Sequence, residues 1–361
     1  MARSGTQRGK ILTASFWAII LSVPVIAVVI GIGYMSYWTI PPLRAQIEGD
    51  LLFVYDPEIG YVARPSNSSK WTVVGTEGKP TLQYHLYTDR LGARVSHRGE
   101  QSPDRVDVLL VGDSFTWGHG VEGHETFAFK TISTLGGSGA NLALPSYGTT
   151  HSLQMLRRNR HLTPKLVIFP LTRDHLWRNA SACARSYYPF CLDYSHVAWD
   201  AKGQAYIAPP RSDGIARIQL QLRAEQGRLD PVTWIVHGLD VVVAQVRFKL
   251  ANAVAADKAR QDAALEFLIQ QMASTVSEMS AVLLVVYLPD ESMSPSPEIL
   301  SPSAQKLGYR FLDLSEAFMK IEAAARSKLY LPNDGHPSAA GHALIAEELI
   351  AYIRREQLLP Q

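Results

Sequence analysis

Cysteine is scarce in this sequence: 361 residues contain two. Cys183 and Cys191 have no neighbouring His or further Cys at zinc-ligand spacing, and no other cluster of His, Cys or carboxylates has it, so no metal site is expected. Net charge is small as well. Lys and Arg number 35 against 33 Asp and Glu, giving a formal charge of +2, with no basic run or stripe of the kind that tracks a phosphate backbone. Nucleic acid is therefore not an expected partner. Internal repeats and low-complexity tracts are also lacking. What remains is 47% hydrophobic and 19% charged, the balance of a globular chain with a sizeable core. The length suits one large domain with attachments.

The first strong feature present is the apolar run over residues 11–40, preceded by Arg3, Arg8 and Lys10 with no acidic residue nearby. It exceeds the roughly 20 residues needed to cross a hydrocarbon core. Tyr34, Tyr37 and Trp38 crowd its far end as an interfacial belt would. A cleaved signal peptide would have a shorter apolar stretch ending in small residues. The expectation is an uncleaved single-pass anchor, with residues 1–10 as a cytoplasmic tail and the rest of the chain on the periplasmic or extracytoplasmic side of the inner membrane.

Beyond the anchor, residues 41–106 read as a linker and a small β-rich module. Pro41-Pro42 stops any helix, residues 56–61 read as a turn, and residues 71–74 and 81–88 alternate β-branched and aromatic side chains as strands do. From residue 107 the pattern changes. Short continuous apolar runs at 108–111, 140–144, 166–171, 282–288 and 309–312 alternate with helical stretches at 126–135, 150–160, 257–279 and 339–355, which predicts an α/β fold with a mostly parallel sheet. A long insertion at about 174–256 interrupts it and is expected to form a lid or side module. Residues 234–254 within it are apolar but carry His237, Asp240, Arg247 and Lys249, which favours an amphipathic helix on the core or near a bilayer surface over a second span.

The chemistry concentrates in Val111-Gly112-Asp113-Ser114. Its serine follows a buried strand, at the strand end where α/β sheets bind ligands, and a turn into a helix would present the Ser114 N–H to an oxyanion. A serine hydroxyl needs a base oriented by a third group. Near the C-terminus, Asn333-Asp334-Gly335-His336-Pro337 offers both: an acid two residues before a histidine, held in a tight turn. Asp113 reads as a brace for the serine turn rather than a proton carrier. Trp117, His119 and His124 are candidates to line the cleft, and Tyr187, Tyr188 and Tyr194 to form a sugar-stacking wall, although core packing is the commoner reason for such aromatics. In an oxidising compartment Cys183 and Cys191 would close a small loop.

Gly112-Asp113-Ser114, the downstream Gly148 and Asp334-x-His336-Pro337 together resemble the SGNH, or GDSL, hydrolase superfamily over about residues 107–355. The resemblance implies a three-layer parallel sheet flanked by helices over 107–361. It assigns Ser114 as nucleophile, Asp334 and His336 as acid and base, and the N–H groups of Ser114 and Gly148 as oxyanion donors. It departs from the family's third block, where Arg173 stands in place of the usual asparagine donor. Arg173 would then stabilise the oxyanion, hold an acidic substrate group, or only pair with Asp174, with Asn179 as an alternative donor. The two-residue spacing from Asp334 to His336 is similar to the branch found in exopolysaccharide O-acetylation proteins.

The expected activity is ester hydrolysis through an acyl-serine, with no metal and no cofactor. The resemblance implies an O-acylated envelope or extracellular glycan as substrate. Two alternatives keep the fold: a polysaccharide O-acyltransferase using the same triad, for which a membrane acyl-transfer partner would be needed, and a non-catalytic glycan-binding protein.

Overall fold

The computed structural model describes residues 22–31, 45–74, 80–184 and 191–359. Five parallel strands organise them: Val108–Leu110 (β1), Gly139–Asn141 (β2), Leu166–Leu171 (β3), Val282–Tyr287 (β4) and Arg310–Asp313 (β5). Their order across the sheet is β5-β4-β3-β1-β2. The strand order reverses at β1, so the crevice beyond the carboxyl ends of β1 and β3 is the topological switch point.

The runs are apolar throughout because both faces are covered. Leu109, Val167, Phe169, Leu283, Val285 and Tyr287 face one buried cluster, and Val108, Leu110, Leu166, Ile168, Leu284 and Val286 face the other. On the first side lie the helices Thr149–Arg158 (α3) and Lys258–Glu278 (α7), and on the second Phe127–Leu135 (α2) and Ala339–Arg355 (α8). This is the layered α/β arrangement expected from the sequence. Each of the four helical stretches appears within two residues of its expected limits.

The N-terminal strands form a four-stranded antiparallel sheet of Ala45–Gly49, Ser68–Val74, Pro80–Thr88 and Arg94–Val95, with Phe53–Asp56 and Gly60–Ala63 as a hairpin. At the hairpin turn, Asp56 Oδ1 accepts the N–H groups of Glu58 and Ile59. These strands do not stand apart: Phe53, Tyr61, Trp71, Tyr84 and Leu86 share one buried cluster with Leu109, Trp117 and Tyr147.

The insertion between β3 and β4 begins with Asp174–Ala180 (α4), continues through two small hairpins, and ends in Gly214–Glu225 (α5) and Pro231–Ala255 (α6). Asp230 caps α6, accepting from Val232 and Thr233 N–H. His237, Gly238, Val241, Ala244 and Ala255 of α6 face inward, while Val232, Val236, Val243, Val246, Leu250 and Val254 are exposed along one stripe. Among the described residues no helix is long and apolar enough to cross a membrane. Residues 22–31 are helical and exposed, and the remainder of the 11–40 run lies outside the described residues.

Cys183 and Cys191, 8 positions apart, are joined in a disulfide beside the first of these hairpins. Closing so short a loop contributes about 2–3 kcal/mol through the unfolded chain's entropy. The double substitution Cys183→Ala/Cys191→Ala, or a reductant, should lower the denaturant-unfolding free energy by about that amount; an unchanged midpoint would rule the contribution out.

Candidate active site

β1 ends at the switch point, and the chain turns through Gly112 and Asp113 into the four-residue helix Ser114–Trp117 (the nucleophile turn, after the role expected of Ser114). Asp113 is its N-cap, with Oδ1 accepting the Phe115 N–H at 3.0 Å. The Ser114 N–H lies in the first helical turn, where backbone donors lack partners within the helix. Asp113 is fully buried. Its Oδ2 accepts from Thr172 Oγ1 at 3.1 Å and from Arg178 Nη1 at 2.9 Å, and His175 Nε2 stands 3.4 Å away. Burial pushes this carboxyl up, but His175, Arg178 and the Phe115 N–H outweigh it and hold the group well below the usual carboxylate range. Asp113 thus acts as a charged brace that ties β1 to β3 and α4.

His336 and Asp334, the expected base and acid, lie on a loop ahead of α8. Leu331 N–H donates to His336 O at 2.7 Å, and Asp334 and Gly335 N–H both return to Leu331 O. The backbone is left-handed at Asn333 (φ 60°) and at Gly335 (φ 81°); the second of these suits glycine, which has no Cβ to oppose it. This winding sets both side chains on one side of the loop. His336 Nε2 lies 2.7 Å from Ser114 Oγ, and His336 Nδ1 lies 2.5 Å from Asp334 Oδ1. Since the ionised carboxylate only accepts, His336 carries its hydrogen on Nδ1 and offers Nε2 to the serine hydroxyl. Burial raises the Asp334 carboxyl, yet His119 and His336 outweigh it and keep the group ionised, far below its ordinary value.

The other expected residues sit as follows. Gly148 N–H donates to the buried His151 Nδ1 at 2.9 Å. Its lack of a side chain has a packing reason: a Cβ there would stand 2.9 Å from Asn179 Oδ1 and 3.0 Å from Arg178 Cβ. Asn179 is buried and bound both ways to Thr149, accepting from its N–H and donating to its hydroxyl. Arg173 is exposed and donates to Pro295 O at 3.3 Å. Its expected partner Asp174 pairs with Arg178 instead, at 3.0 Å along the same helix. Trp117 is core, His124 is exposed, and Tyr194 stacks on His151 with ring centroids 4.3 Å apart. Tyr187 and Tyr188 lie outside the described residues.

One residue weighed only as a cleft liner proves central. His119 is buried, with Nδ1 2.8 Å from the Tyr84 hydroxyl, Nε2 3.7 Å from Asp334 Oδ2, and its ring centroid 4.6 Å from that of His336. The legible signal was Gly118-His119-Gly120, whose glycines have φ of 85° and 81°. His119, Asp334 and His336 have ligand atoms within 4.8 Å of one another, a spacing that suits a cation. Both His336 nitrogens are already directed, one to Asp334 and one to Ser114, so a metal would have to break the hydrogen-bond chain that joins Asp334 to Ser114.

No family model and no curated protein matches the chain. Solved structures do. A lipolytic protein of the G-D-S-L family from Desulfitobacterium hafniense matches with a TM-score of 0.37 and 13% identity, over 70% of this chain and 98% of that one. A family two carbohydrate esterase from Clostridium thermocellum matches with a TM-score of 0.38 and 13% identity, over 87% and 100%. A catalytic mutant of Axe2, an acetylxylan esterase from Geobacillus stearothermophilus, matches with a TM-score of 0.36 and 10% identity, over 70% and 94%. Likeness at this level assigns no chemistry, which is read from the distances above.

Two measurements probe the site's electrostatics. Arg178→Met takes from the buried Asp113 its one permanently charged partner, leaving His175 and Thr172 beside it, and should cost about 3 kcal/mol by urea unfolding, and adding Asp113→Asn should recover a large part; a neutral single variant would contradict the brace. Second, six histidines among the described residues are pushed down by burial: His119 (to about 4), His151, His175, His196, His237 and His342 (to about 3). Their folded values lie below the free value near 6.5, so the unfolded chain binds protons first as pH falls. The stability they contribute is complete above about pH 6.5 and is lost as pH falls through the folded values. His342 Nδ1 accepts the Phe127 N–H, a role glutamine can fill, so His342→Gln should flatten the acid slope by one proton, about 1.4 kcal/mol per pH unit. An unchanged slope would show that His342 titrates normally.

Proposed function

We propose that this protein is a serine esterase that forms an acyl enzyme on Ser114, held at a membrane by residues 11–40. It would cleave O-acetyl groups from an envelope or extracellular glycan. The observation that carries the reading is the unbroken chain Ser114 Oγ–His336 Nε2, 2.7 Å, and His336 Nδ1–Asp334 Oδ1, 2.5 Å. A serine alone is unreactive, and this chain supplies what it lacks: a base in contact and an acid that fixes the base's tautomer.

In the proposed reaction Ser114 Oγ attacks the ester carbonyl as its proton passes to His336 Nε2. Asp334 steadies the resulting imidazolium. The Ser114 N–H, at the positive end of its short helix, takes one side of the oxyanion. With the Gly148 N–H committed to His151 and Asn179 committed to Thr149, Arg173 is the remaining side chain from the family's oxyanion positions, reached by leaving the Pro295 carbonyl. The tetrahedral species expels the sugar oxygen, which collects the proton from His336, and a water activated by the same imidazole releases the acyl group. Glycan specificity and the membrane anchor belong to this proposal through the sequence resemblance and the apolar run; a membrane-bound acyl partner belongs to the acyltransferase alternative.

The test is hydrolysis of 4-nitrophenyl acetate by the full-length protein in detergent. Wild type should turn over, and Ser114→Ala and His336→Ala should each lower kcat by at least about 10⁴-fold. A folded wild type that yields neither product nor acyl enzyme would sink the esterase reading and favour a binding role.

A further inference from the structure

The nucleophile, base and acid leave one buried titratable group at the triad without a role. His119 sits on the loop that leaves the nucleophile turn, and it is 1% exposed. Its Nε2 faces Asp334 Oδ2, the carboxylate oxygen opposite the one that His336 holds. A carboxylate can only accept, so Nε2 bears the hydrogen, and Nδ1 of the neutral ring is then the acceptor for the Tyr84 hydroxyl. Tyr84 belongs to the N-terminal antiparallel sheet, as does Arg94. The buried Arg94 guanidinium donates to Gly118 O at 2.8 Å and to Val121 O at 2.7 Å, pinning the chain on both sides of His119. Among the described residues, Tyr84, Arg94, Asp334 and His336 are titratable or charged groups that act on this imidazole.

Resting on the triad reading above, we propose that His119 is a positioning residue for the triad acid: with its tautomer set by Tyr84, it steadies the second oxygen of Asp334 and so aims Asp334 Oδ1 at His336. The N-terminal sheet thereby becomes part of the catalytic apparatus rather than an attachment to it. The resting separation of 3.7 Å is longer than a formed hydrogen bond, as is common before substrate binds, and it tightens when His336 gains the serine proton. Burial keeps His119 neutral, pushed down to about 4, so it adds no second positive charge beside the imidazolium. Loss of its N–H would let the Asp334 carboxylate rotate and would slow proton removal from Ser114.

The experiment reads the rate constant of Ser114 labelling by a fluorophosphonate, which needs an activated serine but no known substrate, in the full-length protein. Wild type should label and Ser114→Ala should not; an unlabelled, folded wild type would overturn the triad and with it the role of His119. Given labelling, His119→Phe, which fills the space without the donor, should react about tenfold more slowly per folded molecule, the worth of one hydrogen bond to a charged group. His119→Gln, which restores an N–H donor, should recover most of that rate, and on 4-nitrophenyl acetate the Phe variant should lose kcat with KM unchanged. Wild-type labelling by the Phe variant, or a Gln variant no faster than Phe, would overturn the assignment. Should His119→Phe fail to fold, Tyr84→Phe carries the test: a several-fold slower rate supports it and an unchanged rate overturns it.

Discussion

The contact between His336 Nε2 and Ser114 Oγ joins residues 222 positions apart, and much of the intervening structure serves to hold its two ends. Neither end is placed by local sequence alone. Ser114 sits where it does because β1 is buried on both faces and delivers its carboxyl end to the switch point. His336 sits there because the loop at residues 331–336 closes on itself, with Tyr330 and Pro337 bridged beneath it. Gly341 of α8 packs under the same loop so tightly that a Cβ would stand 2.1 Å from Leu329 O. The distance between the hydroxyl and the imidazole therefore reports on the packing of the sheet, of α8 and of the loop together.

The site depends equally on keeping buried charge compensated. Asp113 and Asp334 are ionised below the protein surface, each met by two cationic or imidazole partners: Arg178 and His175 for the first, His336 and His119 for the second. A carboxylate without such partners would take up a proton and lose its power to orient a histidine. The parallel is physical: one carboxylate braces the turn that carries Ser114, and the other holds the imidazole that faces it. The insertion contributes to the first through α4, and the N-terminal sheet contributes to the second through Tyr84 and Arg94. Both segments that flank or interrupt the α/β core therefore contribute side chains to the site.

The α/β pattern was legible because buried parallel strands such as Leu166–Leu171 are apolar at every position and helices such as Ala339–Arg355 carry a clear apolar face. Ser114, Asp334 and His336 could be read because each lies in a short motif with a distinctive turn. The donors to the oxyanion could not. Gly148 has the residue type and position of a donor, yet its N–H direction is set by His151, three residues on, and by the Arg178 and Asn179 side chains packed on it. Arg173 and Asp174 are neighbours in sequence, but helix geometry places Asp174 beside Arg178, four residues away. His119 was hidden for a related reason: its partners, Tyr84 and Asp334, come from distant segments, and only the flanking glycines marked the position.

The most direct test of this account is to trap the acyl enzyme. Full-length protein mixed with an acetyl ester and quenched in acid within one turnover should yield an Ser114-containing peptide heavier by one acetyl group, absent in Ser114→Ala and accumulating more slowly in His336→Ala. Acetyl found on another residue, or turnover of the ester with no acetyl on Ser114 at any quench time, would contradict it.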